Sequence, residues 1–377
     1  MSEWDCDVAV VGVGGAGSAA LYHAAKRGAR AIGVDPNPPG HDRGSSHGDT
    51  RIIRLAYMEA PGYVPLLRRA FELWGALERE SGRRLYTQTG LLQIGPADCH
   101  VLAGARRSAE EHGLELEQLD AAEVGRRFPP FRMQPGERAV FDPRAGFLAV
   151  EDGVRTHVAE AQRLGAELRQ VGAVRWEVAG EGARVHLTDG TALRARRLIL
   201  APGGWAPTLL ADLELPLTLL RKVLVWVPCA DDAYLAERFP VFLCDSGAGV
   251  FYGFPRRGAD PELKLAEHSG GAALAHPEAL ERGLLPGDAE PVLAYLARSL
   301  PGLERRVLRH AVCFYTQTPD EHFVLGAHPR HPQVALVAGL SGHGYKFAPV
   351  LGEVLAELAL DGATRHEVGF LSPTRFA

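Results

Sequence analysis

The chain has 377 residues, of which 46% are hydrophobic and 23% charged, and 41 basic against 46 acidic side chains give a formal net charge of -5 at pH 7. This length predicts two domains or one large one, and the composition excludes a disordered or fibrous protein. The negative charge argues against a general nucleic-acid binder, and the sequence has no apolar run long enough for a membrane span.

Five cysteines without a C-x-x-C pair argue against a disulfide framework or a cysteine-rich zinc site. They are typical of a protein in a reducing cytoplasm, which is the compartment we expect. Fifteen histidines include no H-E-x-x-H pattern, and His328 and His331 flank a proline in a predicted loop. We therefore expect no metal site.

The N-terminus predicts a strand, a glycine turn, a helix and a second strand. Residues 8–11 are a short β-rich apolar run, typical of a strand that is buried on both faces. A glycine-rich turn follows over 12–17, an alanine-rich helix over 18–27 and a second strand over 31–35. Prolines and a glycine at 36–40 then end the regular structure.

The rest of the chain alternates helical and β-rich segments. Predicted helices cover 64–77, two stretches of 97–128 that break near 119–120, 156–164, 291–300 and 347–360. Predicted strands cover 87–94, a hairpin over 171–188 with its turn at 180–182, 198–201, 223–227, 250–254, 263–268, 309–314, 323–325 and 334–338. Strand-to-glycine turns recur near residues 12, 203 and 342. If they face one ligand, three separated segments form its domain and a β-rich second domain lies between them.

The first glycine turn carries a dinucleotide fingerprint. Gly12, Gly14 and Gly17 follow a strand and open a helix, where glycines let the backbone approach a pyrophosphate at the helix N-terminus. Asp35 ends the next strand, in position to accept a hydrogen bond from a ribose hydroxyl. A tight turn without a ligand is the less favoured interpretation, and the pattern does not distinguish NAD from FAD.

Three further tracts resemble a known family. They are GSSHGDTRIIR at 44–54, CFYTQTPDEHF at 313–323 and SGHGYKF at 341–347. In order and spacing they resemble motifs of the monomeric sarcosine oxidase and N-methyltryptophan oxidase group of flavoprotein amine oxidases, over essentially the whole chain. The resemblance implies an α/β, two-domain flavoprotein. A glutathione-reductase-like, Rossmann FAD-binding domain would comprise 1–85, 146–216 and 320–377, and an inserted β-sheet-based substrate domain would comprise 86–145 and 217–319.

The resemblance also implies how FAD is held. Cys313 matches the family cysteine that bonds through sulfur to the flavin 8α-methyl, so we expect covalent FAD. A thiolate is a suitable nucleophile for that carbon; the alternative is an inert buried cysteine. The implied cofactor-binding residues are Gly12, Gly14, Gly17, Asp35, Ser45, His47, Thr50, Arg51, Cys313, Gly342, Gly344 and Lys346.

The substrate site follows from the same resemblance. Arg54 and Lys346 match the family cations that hold the substrate carboxylate, where arginine offers a bidentate fork and lysine a point charge. Tyr315 and Thr316 match substrate-side positions, and Glu59 matches a carboxylate on a mobile loop. Each arginine in this arginine-rich chain could instead be a solvated surface residue.

Four residues are the implied catalytic set: Lys264, Arg51, His268 and Tyr252. Lys264 matches a lysine held over the flavin, where a cation stabilises the charge that develops as O2 is reduced. Strand alternation puts Lys264 and His268 on one face. Arg51 and His47 match residues on the opposite flavin face, whereas a strand tyrosine such as Tyr252 is more often a core residue.

The implied reaction is oxidation of the secondary amine of an N-methyl amino acid by FAD and O2. It yields an imine, then formaldehyde and the parent amino acid, with hydrogen peroxide. The partners are therefore a small amino acid and O2, without nucleic acid or membrane, and the resemblance suggests a monomer. Alternatives are a flavoprotein for a cyclic imino acid, a D-amino acid or glycine, an NAD-linked dehydrogenase, and a non-catalytic flavin-binding module.

Overall fold

The structure is a computed structural model that describes residues 4–258 and 260–376. Its strands, in chain order, are β1 (Cys6–Val11), β2 (Ala31–Val34), β3 (Thr50–Ile53), β4 (Tyr86–Gln88), β5 (Leu91–Pro96), β6 (Glu117–Leu119), β7 (Glu137–Asp142), β8 (Gly146–Ala149), β9 (Glu167–Arg169), β10 (Ala173–Ala179), β11 (Gly182–Leu187), β12 (Ala192–Leu200), β13 (Thr218–Pro228), β14 (Val241–Asp245), β15 (Val250–Gly253), β16 (Glu262–Glu267), β17 (Ala272–Leu274), β18 (Arg309–Gln317), β19 (Val324–His328) and β20 (His331–Ala338). The helices are α1 (Gly15–Lys26), α2 (Val64–Ser81), α3 (His100–His112), α4 (Ala121–Arg127), α5 (Val150–Arg163), α6 (Ala206–Leu209), α7 (Glu290–Ser299) and α8 (Ala348–Asp361).

The first sheet is built around parallel strands from distant parts of the chain. Its order is β10-β11-β12-β1-β2-β9, and β20 pairs with β12 while β19 pairs with β20. In register, Val10 lies opposite Ile199 on one side and Gly33 on the other. Alternate residues of β1 face different cores. Val8 and Val10 pack with α1 and α8, whereas Ala9 and Val11 pack on the opposite face of the sheet. Both faces are therefore buried, as the short apolar run predicts.

Helix α1 approaches both β1 and α8 closely because small residues line it. A Cβ at Gly17 would overlap the backbone of Gly12, and a Cβ at Gly352 of α8 would meet Ala19 at 2.5–2.6 Å. These close approaches fix the first turn of α1 directly over the end of β1, where the glycine turn lies.

The second large sheet has the order β17-β13-β16-β15-β14-β5-β7-β6, with β18 beside β13. One of its faces packs on α7 through a core that includes Phe242, Phe251 and Leu296. The other face, which carries Leu243, Tyr252 and other apolar residues, packs toward the loop after β3. A third, three-stranded sheet has the order β3-β8-β4.

Most of the predicted elements are present, but strands β3, β7 and β8 were not predicted. Two further local differences have a clear cause. The stretch predicted as two helices contains a short strand, β6, between α3 and α4, because Glu117–Leu119 pairs with β7. The strand predicted over 87–94 is divided at Gly90, whose φ of +72° breaks the extended backbone. The strands of the first sheet lie in 6–34, 167–200 and 324–338 and those of the second in 91–142 and 218–317, and the domain boundaries stay a prediction. Among the described residues, no helix is long and apolar enough to cross a membrane.

Candidate active site

A long cavity lies at the carboxyl ends of β1, β2, β12 and β20, where parallel sheets bind ligands. Its lining comes from all three predicted glycine turns. The lining residues that were predicted as cofactor-binding are Gly12, Gly14, Asp35, Ser45, Arg51, Gly342 and Gly344.

The first glycine turn requires glycine for steric reasons. Gly12 has a φ of +83°, and a Cβ there would overlap the carbonyl oxygen of Ala201 on β12's extension. Gly17 does not line the cavity but lets α1 approach Gly12. The free amides of the first helical turn, together with the helix dipole, favour an anion at this point.

Asp35 is held in a fixed orientation at the end of β2. Its carboxylate accepts hydrogen bonds from the backbone N–H groups of Val13 at 2.9 Å and Asn37 at 3.0 Å, and His41 Nε2 lies 3.5 Å away. Burial opposes ionisation, but the hydrogen bonds from His41 and the two amides outweigh it and lower the pKa of Asp35. An ionised acceptor therefore faces the cavity beside the glycine turn.

Residues 44–51 connect the glycine turn to β18. Ser46 Oγ accepts a hydrogen bond from Gly15 N at 3.0 Å, and Ser45 Oγ donates to the Phe314 carbonyl at 2.7 Å. His47 is buried, its Nε2 has no hydrogen-bond partner among the described residues, and burial lowers its pKa to about 4. The tract lines the cavity through Ser45, Ser46 and Arg51, whereas His47 itself lines neither cavity, so its predicted contact with the cofactor stays a prediction.

The donor set of this cavity fits FAD. The glycine turn and α1 would hold the pyrophosphate, Asp35 the ribose, and Ser45, His47 and Arg51 the flavin end. Thr50, also predicted here, is buried but does not line the cavity; its carbonyl accepts a hydrogen bond from Lys264. The glycine turn, α1 and Asp35 together provide the contacts that a dinucleotide fingerprint requires.

A second, smaller cavity adjoins the first. The two share Arg51, Tyr315, Gly342 and Tyr345 in their linings. The remaining lining residues of the second cavity are Ile52, Arg54, Met58, Glu59, Leu243, Tyr252, His268, His343 and Lys346.

Arg54 is buried in this second cavity and is paired with Glu59. The guanidinium Nη2 donates to both carboxylate oxygens of Glu59, at 3.0 and 2.9 Å, and its carbon lies 4.8 Å from the centre of the Tyr57 ring. Burial alone would raise the pKa of Glu59, but the charge of Arg54 outweighs it and lowers that pKa to about 2. The cavity therefore already holds one carboxylate on Arg54, supplied by the protein itself.

Lys346 contacts the same Tyr57 ring, with its Nζ 5.2 Å from the ring centre. Its Nζ donates to the His343 carbonyl at 2.6 Å, and its own carbonyl accepts a hydrogen bond from Trp74 Nε1 at 3.0 Å. Burial, with a smaller contribution from the Arg54 charge, lowers the pKa of Lys346 to about 7. Lys346 lines the second cavity and not the first, so its predicted contact with the cofactor stays a prediction.

An aromatic and imidazole wall closes another side of the cavity. His268 Nδ1 lies 3.3 Å from the Tyr315 hydroxyl, and the Tyr252 ring lies 6.5 Å from the His268 ring, centre to centre. Loss of hydration lowers the pKa of His268 to about 3 and that of His343 to about 4. Both imidazoles are therefore neutral at pH 7. Thr316, predicted beside the substrate, lines the first cavity instead.

Lys264 is buried, with 4% of the residue exposed. Its Nζ donates to the carbonyls of Gly48 at 2.5 Å and Thr50 at 2.8 Å and lies 4.6 Å from the Phe254 ring centre. Burial lowers its pKa well below the usual value. Although His268 follows on the same face, Lys264 is not among the described residues that line either cavity.

Cys313 lies on β18 and is 1% exposed. Its neighbours Phe314, Tyr315 and Thr316 line the first cavity, but Cys313 does not. Burial raises the pKa of the thiol, while the charges of Arg51 and Lys264 act in the opposite direction.

Sequence reasoning did not assign Lys222, which the structure places next to this site. It pairs in register with Cys313, and its Nζ donates to the carbonyls of His268, Ser269 and Gly270 at 2.9, 2.7 and 3.1 Å. The same Nζ lies 5.0 Å from the Tyr315 ring centre. Lys222 thus contacts two residues that line the second cavity, His268 and Tyr315. In the sequence, only the rarity of lysine in this chain could have drawn attention to Lys222.

Two groups of side chains have metal-like composition. The donor atoms of Asp212, His328 and His331 lie within 4.8 Å of one another, as do those of Glu353, Glu357 and His366. Arginines already pair with both: Arg330 with Asp212 at 2.7 Å, and Arg69 with Glu353 at 2.7 Å. Because these cations neutralise the carboxylates, we assign no metal to either group.

Comparison with known proteins agrees with this geometry. The sequence matches the FAD dependent oxidoreductase family over residues 7–358. It is 41% identical to a monomeric sarcosine oxidase of Streptomyces avermitilis over 377 residues, which covers 98% of each chain. It is 36% identical to an N-methyl-L-tryptophan oxidase of Citrobacter koseri, with 94% of each chain covered.

Solved structures share the fold. NikD, an unusual amino acid oxidase of nikkomycin biosynthesis, superposes with a TM-score of 0.87 over 98% of this chain and 97% of its own, at 24% identity. Glycine oxidase from Geobacillus kaustophilus gives a TM-score of 0.82 over 98% of each chain, at 20% identity. The predicted two-domain flavoprotein fold, the family and the FAD cofactor are confirmed. The chain belongs to the FAD-dependent oxidoreductases, within their monomeric sarcosine oxidase and N-methyltryptophan oxidase group, and it is an oxidoreductase that acts on CH–NH donors.

Proposed function

We propose that the protein is an oxidase that demethylates an N-methyl amino acid. One molecule each of substrate, O2 and water would give the parent amino acid, formaldehyde and hydrogen peroxide. The observation that carries this proposal is the buried cation pair, Arg54 and Lys346, in a cavity that adjoins the FAD cavity through Arg51 and Tyr315.

Arg54 and Lys346 would bind the substrate carboxylate from two sides. Both side chains are at most 5% exposed, so the ion pairs they form with a carboxylate are weakly screened by water. In the structure the Glu59 carboxylate is hydrogen-bonded to the Arg54 guanidinium. The substrate carboxylate would take the place of Glu59 in this ion pair. The proposal therefore includes displacement of Glu59 as the first step of binding.

The remaining groups would orient the amine and keep it uncharged. His268 and His343 are neutral at pH 7 and supply no negative charge to an ammonium group, while the positive charges of Arg51 and Arg54 disfavour a protonated amine. Tyr252 and Tyr315 would enclose it and exclude water. Bound FAD supplies the two-electron acceptor for the amine and passes the electrons to O2.

We further propose that Cys313 binds FAD covalently and that Lys264 promotes the reaction with O2. The position of Cys313 on β18, one residue before the cavity lining begins, supports the first role. The enclosed Lys264 amine, hydrogen-bonded to the Thr50 carbonyl and within the field of the Arg51 charge, supports the second. The five free thiols and the name of the sarcosine oxidases support a monomer in a reducing compartment.

A peroxide-coupled screen of N-methyl amino acids tests the proposed reaction. We expect peroxide and formaldehyde in equal amounts, and loss of at least a hundredfold in kcat/KM for Arg54→Gln. Arg107→Gln, an exposed arginine on α3, is the matched control and should retain activity. Turnover of glycine, a D-amino acid or a cyclic imino acid alone would reject N-methyl specificity, and a colourless protein active with NAD would reject the flavin assignment.

Acid precipitation tests the covalent bond. Yellow colour should pellet with the unmodified polypeptide and remain in the supernatant for Cys313→Ser. Colour released from the unmodified protein would contradict the covalent assignment.

Anaerobic reduction tests whether the bound flavin takes part in catalysis. If no amine bleaches the yellow colour without oxygen, a non-catalytic flavin-binding module would be favoured.

A further inference from the structure

Gln93 is a buried amide without hydrogen-bond partners. Its side chain is 0% exposed, and neither Oε1 nor Nε2 has a partner among the residues that the structure describes. Buried polar groups are almost always paired, and one that is not costs stability. Because both polar atoms of the Gln93 amide lack a hydrogen-bond partner, we expect a group from outside the chain to hydrogen-bond with this amide.

The sheet places Gln93 at the edge of the second cavity. In β5 it lies in register with Leu243 of β14, and Leu243 lies in register with Tyr252 of β15. Residues in register across neighbouring strands project from the same face of a sheet. Leu243 and Tyr252 both line the cavity, whereas Gln93 does not; it is the next side chain in their row, on the far side of Leu243.

Met58 connects the same end of the cavity to the region above Gln93. Met58 lines the cavity. Its backbone packs so closely on α3 that a Cβ at position 104 would overlap the Met58 carbonyl oxygen, so Gly104 is required there. Helix α3 packs on β5, the strand of Gln93. A thioether side chain is flexible and adapts its shape at little cost, so a ligand can extend past Met58 toward the amide.

The cavity is therefore chemically divided. Arg54 and Lys346 mark its anionic-ligand end, whereas Ile52, Met58 and Leu243 form an apolar wall. Beyond that wall lies one amide that can both donate and accept. A matching substrate has a carboxylate, an apolar side chain and one hydrogen-bonding group at its far end.

We propose that Gln93 determines specificity for such substrates: it hydrogen-bonds the polar end of a bulky N-methyl amino acid side chain, which sarcosine lacks. This inference rests on the proposed demethylation and narrows its substrate class. The amide acts through the substrate side chain alone, so it should not affect the amine chemistry itself.

Matched substrate pairs test this inference. N-methyltyrosine is compared with N-methylphenylalanine, and N-methylglutamine with N-methylnorleucine, in the wild type and in Gln93→Met, which keeps the length but removes both hydrogen-bonding atoms. We expect kcat/KM to favour the polar member of at least one pair by about threefold to tenfold, the value of one neutral hydrogen bond. Gln93→Met should abolish that preference and change the rate with sarcosine less than twofold.

The control is Gln118→Met, an exposed glutamine on β6 of the same sheet, which should leave every ratio unchanged. Gln93→Leu provides a second apolar variant, and both Gln93 variants should melt at or above the wild-type temperature because an unpartnered buried amide is removed. Equal effects of Gln93→Met on both members of each pair, or no preference in the wild type, would overturn the inference. That is also the result if an internal water satisfies the amide.

A binding measurement separates this inference from the proposed reaction. 4-Hydroxyphenylacetate and phenylacetate carry the carboxylate but no amine, and their dissociation constants can be read from the flavin absorbance of the holoenzyme. A preference of about threefold to tenfold for the hydroxylated acid that Gln93→Met removes supports Gln93 even if no N-methyl amino acid is oxidised. Absence of a preference, with turnover of sarcosine intact, rejects Gln93 and leaves the proposed function standing.

Discussion

Carboxylate binding in the second cavity should weaken steeply as the pH rises above 7, because Lys346 loses its proton there. Burial and the Arg54 charge lower the pKa of Lys346 to about 7 in the free enzyme. Below that pH the ammonium is present and attracts an anion. Above it, binding must take up a proton, so the dissociation constant rises with pH.

The size of the effect follows from the charge pair that forms. A carboxylate about 4 Å from the ammonium, at an effective dielectric constant of about 20, gains about 4 kcal/mol. At about 1.4 kcal/mol per pKa unit, this raises the pKa of Lys346 by about three units in the complex. The slope should therefore approach a tenfold increase in the dissociation constant per pH unit above pH 7, about fiftyfold in total between pH 7 and 9.

The assay is a titration of the holoenzyme with propanoate, followed by flavin absorbance between pH 6 and 9. Propanoate has no amine, so its charge is constant over this range. The other ionisable groups of the lining with a shifted pKa do not titrate in this range: the pKa is about 2 for Glu59, about 3 for His268 and about 4 for His343, and burial raises that of the tyrosines above its usual value. Burial lowers the pKa of Lys222, which lies next to the cavity, to about 8, and the Lys346→Met variant separates its contribution from that of Lys346.

Lys346→Met should bind propanoate weakly and with no pH dependence, whereas Lys26→Met, a surface lysine paired with Glu80, should keep the wild-type slope. A dissociation constant that is flat from pH 6 to 9 in the wild type would refute the reasoning. The same slope in Lys346→Met would show that another group is responsible.

Three further predictions concern other parts of the site. Glu59→Gln removes the carboxylate that competes for Arg54, so propanoate should bind about tenfold or more tightly at pH 6.5; an unchanged or weaker affinity in the same titration would contradict displacement of Glu59. Lys264→Met should still be reduced by substrate under anaerobic conditions but reoxidise at least tenfold more slowly in air, as followed by stopped-flow absorbance, and normal reoxidation would exclude its proposed role. Gly12→Ala should lower both the melting temperature and the FAD content of the purified protein, because its Cβ would overlap Ala201. The control is Gly28→Ala, which has a similar φ of +82° but no atom within 4 Å of the added Cβ, and it should lose only a little stability; equal losses in the two variants would assign the effect to φ alone.

The fold could be predicted because local pattern and tertiary structure agree in its cofactor-binding part. The glycine turn at Gly12 is required by backbone geometry that the strand and helix around it already specify. Asp35 ends a strand whose direction is fixed by its parallel neighbour. In both cases neighbouring residues determine the position.

Other features of the site depend on tertiary contacts, most of them between distant segments. The pairing of Arg54 with Glu59 depends on how the loop after β3 folds over Tyr57, and the three carbonyls around Lys222 come from a turn 46–48 residues away. Lys264 fills its hydrogen bonds with the carbonyls of Gly48 and Thr50, more than 200 residues earlier. Hydropathy and spacing carry no information about such partners. The unpartnered state of Gln93 is a property of the packed sheet, since an isolated β5 would expose the amide to water.

The central strands of the first sheet come from the beginning, the middle and the end of the chain, with β1 beside β12 and β12 beside β20. During translation the early strands must therefore wait for β20 and α8, which begin only at His331 and Ala348. The second sheet, complete by residue 317, can assemble while synthesis continues. Incorporation of FAD should then follow the synthesis of β20, and chains stalled or truncated before this strand should lack flavin.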